Sequence, residues 1–229
     1  HRRDRSVEEA LSGVGIETVR TGSPYAVAPG RVVNGSGEPY KVYTPFSRAW
    51  AEHGWRAPVD APTTGQWLTL AEGTTAIPEV DLPDGLDLPE AGEAAALRSW
   101  HDFLDRVADY DDERNRPDLD TTSRMSPHLR WGEIHPRTML ADLARLRSTG
   151  AATYRKELAW REFFADVLFA RPETARDYLR PEYARMRFDE PDERLTAWQE
   201  GRTGFPVVDA GMRQLRGQDL SGIGFGLGV

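Results

Sequence analysis

The residues best suited to do chemistry lie in one segment, Glu157-Leu158-Ala159-Trp160-Arg161-Glu162-Phe163-Phe164. At helical spacing Glu157, Trp160 and Phe164 fall along one side, and Phe163, Val167 and Leu168 widen that side into a stripe expected to be buried. A carboxylate in such a stripe is costly to desolvate, so it is either an ordinary solvent-edge acid or one held in place to meet a ligand. A second group is Thr121-Thr122-Ser123-Arg124-Met125-Ser126-Pro127, which crowds hydroxyls before a helix, with Ser126 suited to cap it and Pro127 to open it. Backbone N–H groups at a helix start lack internal partners and favour an anion, so a diphosphate is a sensible ligand there; an ordinary cap is the alternative. A third is Gly201-Arg202-Thr203-Gly204-Phe205-Pro206, a turn that leads into a helix through Leu215 with Arg on one edge.

The elements that must position these groups change character along the chain. Ser6-Val7-Glu8-Glu9 is a capping-box pattern opening a short helix that ends near Gly13, and Gly15-Ile16-Glu17-Thr18-Val19 reads as a following strand. That is a unit of α/β type. Asn34-Gly35 and Gly37 predict that the chain from Pro29 to Tyr43 turns back on itself. From Trp55 to Pro89, repeated Pro and Gly residues read as a long surface linker. Beyond it helical periods dominate, first over Glu93 to Ala108 and then in a helix bracketed by Pro136 and Gly150. With no initiating Met, an upstream piece is expected to be missing.

Composition narrows the function. The 229 residues, 39% hydrophobic and 29% charged, suffice for a real core. There is no run of about eighteen apolar residues and no export signal, so a cytoplasmic protein without membrane contact is expected. Zero Cys excludes disulfides and cysteine-ligated metals, and the five His show no close pairing, so no metal is expected. The net charge of -8 argues against indiscriminate nucleic-acid binding but leaves room for a local basic groove.

Taken in order, these segments resemble the photolyase and cryptochrome family. The resemblance runs from Tyr40-Lys41-Val42-Tyr43-Thr44-Pro45-Phe46 with Arg48-Ala49-Trp50, through Thr122 to Pro127 and Trp131-Gly132-Glu133-Ile134, to Glu157-Leu158-Ala159-Trp160-Arg161-Glu162 and the segment from Ala197 to Leu215. It implies an α/β antenna domain, a linker and a helical domain that cradles FAD, with a second antenna chromophore of folate or deazaflavin type possible in the family. Tyr110 and Thr122, Ser123, Arg124, Met125 and Ser126 match the FAD-contacting positions, although Met125 stands where Leu is usual. Glu157 and Trp160 match the acid and ring that meet a pyrimidine dimer, and Arg161, Phe164, Arg155 and Lys156 would approach the DNA. The implied activity is repair of cyclobutane pyrimidine dimers by light-driven electron transfer from excited reduced FAD to a flipped-out dimer. Glu157 favours the cyclobutane-dimer enzymes over relatives with Gly-Gln-Leu-x-Trp at this place. A cryptochrome-like blue-light receptor without repair and a non-functional fragment remain alternatives.

On this reading residues 1–46 are the end of an α/β antenna domain, 47–92 the interdomain linker, 93–216 the first part of the helical FAD domain and 217–229 an aberrant Gly-rich tail. The chain is expected to be a monomer with damaged DNA as its partner. Phe188 falls where many relatives carry a relay Trp. Trp50, Trp100, Trp131 and Trp198 are expected to pack in the core, and His128 and His135 to be cap or surface residues.

Overall fold

The chain forms nine α-helices among the described residues: α1 (Arg2–Gly13), α2 (Tyr43–His53), α3 (Glu93–Leu104), α4 (Tyr110–Glu113), α5 (Ser126–Trp131), α6 (Pro136–Leu143), α7 (Thr149–Ala170), α8 (Glu193–Gln199) and α9 (Pro206–Gly217). The computed structural model describes residues 2–60, 64–65 and 88–217. Most of the expected linker and the expected tail from 218 onward lie outside these residues.

α7 is the organising element. Ser148 caps it by accepting from the Ala151 N–H (3.2 Å), and Gly150 allows its first turn to press on the Val107–Asp109 turn. A Cβ at Gly150 would stand 1.9 Å from the Val107 carbonyl oxygen and 2.6 Å from that of Ala108. Gly150 therefore does not end the preceding helix, as its position suggested; α6 stops at Leu143 and Gly150 serves close approach. Against α7 pack α2, α4 and α6. The core between them holds Trp100, Phe103, Tyr110 and Tyr154 in mutual ring contact, with Met125, Met139, Leu140 and Leu143 beside them. Burying each large side chain contributes roughly 1.5–3 kcal/mol.

Several expectations need correction. α1 begins at Arg2, so Ser6 lies within the helix and caps nothing. Residues 15–19 form no strand: Ile16 and Val19 are exposed, and among the described residues there is no strand for them to pair with. The described structure is thus helical, and the α/β character expected of its start is not seen in it. The turn over 34–38 does form, with Gly37 N–H donating to the Asn34 carbonyl (2.9 Å) and an antiparallel bridge between Val33 and Pro39. Trp50 and Trp100 are buried, but Trp131 is 79% and Trp198 46% exposed, because α5 and α8 turn those rings away from the packed faces. His128 is buried and pairs through Nδ1 with Glu133 (2.5 Å), so it is neither cap nor surface residue, whereas His135 does cap α6 by accepting from Arg137 N–H (3.1 Å).

Candidate functional site

One side of α7 carries Glu157, Trp160 and Phe164 in the register that the sequence requires. Glu157 is 3% exposed, and its Oε1 accepts from Arg114 Nη1 at the end of α4. Its Oε2 is buried and has no hydrogen-bond partner among the described residues. A buried carboxylate oxygen left without a donor forgoes a favourable bond. The stripe is less buried than expected: Phe163 is covered, but Phe164 is 52% and Leu168 45% exposed. An open apolar edge therefore adjoins the buried acid.

Trp160 is half-buried, with Tyr43 of α2 stacked flat on it at 3.6 Å between centroids and 6° between planes. Tyr43 is fixed in turn by donating its hydroxyl to the Lys156 carbonyl (2.9 Å). Burial raises the Tyr43 phenol's pKa, and the Glu157 charge adds to the rise. Phe164 stacks more loosely on the indole at 5.6 Å.

The hydroxyl-rich segment reaches this face through two aromatic side chains. Ser123 Oγ lies 2.8 Å from the Tyr154 hydroxyl, and the Tyr154 ring packs on Tyr110 at 5.2 Å. Arg114 bridges Tyr110 to Glu157, with its guanidinium carbon 5.6 Å from the Tyr110 ring centre. Burial pushes the Tyr110 phenol up to about 12, with Arg114 opposing and Glu157 reinforcing the shift. Burial also raises that of Tyr154, against the hydrogen bond with Ser123. Burial works to lower the Arg114 pKa, but the hydrogen bond and charge of Glu157 leave it raised, so Arg114 stays a cation. Met125 is fully buried, while Thr122 and Ser126 are half-buried. Arg124 pairs with Asp120 and holds φ at 51, a left-handed conformation uncommon outside Gly, Asn and Asp and frequent at ligand clamps. Ser126 is the first residue of α5 and Met125 precedes it without a side-chain cap, so the expected Ser126 cap is absent.

Arg161 and Arg155 are engaged elsewhere. Arg161 donates to the carbonyls of Pro24 (3.4 Å) and Leu129 (3.3 Å) and lies over the Tyr25 ring, while Arg155 donates to the Leu143 carbonyl (2.6 Å). Burial lowers the pKa of Arg161.

Four contributors escaped sequence reasoning: Arg114, Tyr43, Tyr154 and Thr121, whose Oγ1 is buried without a partner among the described residues. Tyr43 and Thr121 lie in motif segments, but no local pattern announces their surroundings. The other carboxylates of α7 were missed too. Glu162 accepts from the N–H groups of Ala26 and Val27 and from Trp50 Nε1 (2.6 Å), and Asp166 accepts from Gly30 N–H (2.6 Å). Among the described residues no group of three or more His, Cys, Asp or Glu could hold a metal.

The chain matches known proteins over most of its length. A family model described as DNA photolyase matches residues 1–63, and one described as the FAD binding domain of DNA photolyase matches residues 154–220. Deoxyribodipyrimidine photo-lyases of Halobacterium salinarum and Synechococcus are 33% and 35% identical over 94% and 93% of this chain. The chain spans about half of those relatives, 48% of each. The crystal structure of a class III photolyase from Agrobacterium tumefaciens superposes with a TM-score of 0.83 at 31% identity, over 95% of this chain and 48% of that one. A Synechocystis cryptochrome shares the fold, with a TM-score of 0.73 at 23% identity over 98% of this chain and 50% of its own. By its ordered motifs, its helical architecture and these matches, the chain belongs to the DNA photolyase and cryptochrome family.

Proposed function

We propose that this chain carries part of the flavin and lesion pocket of a cyclobutane pyrimidine dimer photolyase. The observation that carries the reading is Glu157, a buried acid with one oxygen lacking a donor, beside a half-buried indole that Tyr43 holds flat. Such a pair suits a flipped-out base, which offers N–H donors at its edge and an apolar face for stacking. Glu157 accepts from the base edge while Arg114 fixes the carboxylate. Trp160 packs against the lesion, and Phe164 extends the apolar edge toward DNA. Lys156 flanks this face and adds positive charge toward DNA, whereas Arg161 stays with the carbonyls of Pro24 and Leu129.

FAD fits the neighbouring segment: the orphaned Thr121 hydroxyl, the Thr122 and Ser126 hydroxyls and the left-handed turn at Arg124 form a polar strip on an aromatic base. Tyr110, Thr122, Ser123, Arg124, Met125 and Ser126 would hold it. When bound, FAD supplies light-driven one-electron chemistry. The chain's own groups bind, orient and exclude water. In this reading residues 1–46 end an α/β antenna domain, 47–92 are the linker and 93–216 begin the helical FAD domain. We place the protein in the cytoplasm as a monomer; none of the described helices is long and apolar enough to cross a membrane.

The test is the visible spectrum of the purified chain after incubation with excess FAD and removal of the free cofactor. A retained, structured flavin band is expected. A folded chain that keeps no flavin contradicts the proposed half-site.

A further inference from the structure

A cleft of about 470 Å³ opens where the segment from Gly22 to Arg31 meets the end of α2 and the start of α6. Arg31, Arg56, Arg137 and His53 line it, Trp55 supplies an aromatic wall, and none of its described lining residues is acidic. On a chain of net charge -8, cations brought together in a concavity without a counter-charge repel one another. Among the described residues the guanidinium groups of Arg31 and Arg56 make no hydrogen bond or ion pair.

The frame of this cleft is rigid. Glu162 holds the Ala26 and Val27 N–H groups, and Arg137 donates from both Nε (3.0 Å) and Nη2 (2.8 Å) to the Ala26 carbonyl. The turn from Ala28 to Arg31, closed by Arg31 N–H to the Ala28 carbonyl (3.3 Å), sets Arg31 at the rim. Gly30 takes φ 82 in that turn, and a Cβ there would meet the Phe169 ring at 2.4 Å. On the other side Trp55 packs on Trp50 at 4.4 Å. Glu162 and Asp166 lie about 140° and 180° around α7 from Glu157, so the cleft is on the far side from the proposed lesion face.

We infer that this cleft binds a small molecule carrying a phosphate or diphosphate group, separate from the flavin and DNA sites. Paired guanidinium forks match phosphate oxygens in geometry and charge, and the cleft's volume suits a small ligand. Arg31 and Arg56 take the oxyanion, Arg137 adds its charge from the frame, and Trp55 offers a flat surface to the rest of the molecule.

Calorimetric titration of the whole chain with inorganic pyrophosphate tests this. The double variant Arg31→Gln/Arg56→Gln should bind at least about tenfold more weakly. Arg98→Gln, which alters an exposed arginine of α3 paired with Glu90, should bind like the parent. Unaltered cooperative melting of the variants would show that the fold is kept. Equal affinity of the parent and double variant, or no saturable binding by the parent up to about 10 mM, would overturn the inference.

Discussion

Two glutamates on α7 are equally buried, each 3% exposed, yet they live in opposite circumstances. Glu162 is surrounded by donors: two backbone N–H groups and an indole N–H converge on its carboxylate. Glu157 has one arginine and one oxygen without a partner. The first arrangement is complete in itself and clamps a distant segment onto the helix. The second leaves one oxygen without a donor among the described residues. Equal burial therefore covers two different hydrogen-bonding states.

Glu162 is the more costly of the two to remove. Glu162→Ala leaves three donors unsatisfied in the interior and is expected to cost about 3–5 kcal/mol, read as a large fall in the thermal or urea midpoint. Glu157→Gln should cost less, about 1–2 kcal/mol, because the amide oxygen can still accept from Arg114 and the other position had no donor to lose. Equal destabilisation by the two changes would erase the distinction.

Titration sharpens the contrast. Burial raises the Glu162 carboxyl above its ordinary value, against the opposing hydrogen bonds from Val27, Trp50 and Ala26. Its contribution to stability is thus fully present below the unfolded carboxyl's pKa and is lost as pH rises through the raised folded value. The melting temperature of the parent relative to Glu162→Gln should therefore fall as pH is raised through that window, and a flat difference would deny the shift. The smallest effect is expected at Tyr43→Phe, which removes the bond to the Lys156 carbonyl but keeps the ring on Trp160. A loss of about 1 kcal/mol or less is expected in the same denaturation assay.

What the sequence made legible follows from distance along the chain. The register of Glu157, Trp160 and Phe164 is a local consequence of helical period, and the strip from Thr122 to Ser126 could be recognised from its own hydroxyls. The partners could not be read in this way. Glu162 meets Trp50 across 112 residues and Ala26 across 136, and Arg114 meets Glu157 across 43, so no local pattern announces either pair. The same reason explains why Gly150 reads as a helix stop, when its role is set by the carbonyls of Val107 and Ala108. It explains residues 15–19 too, where a strand-like composition meets no strand partner among the described residues.

The proposed lesion site rests on the unsatisfied side of Glu157. The most direct measurement compares FAD-loaded parent and Glu157→Gln for binding to the same oligonucleotide with and without a cyclobutane thymine dimer. A preference for the dimer is expected in the parent and should fall by about tenfold or more in the variant, with flavin retained by both. A dimer preference that survives Glu157→Gln unchanged, or none in the flavin-loaded parent, would contradict it.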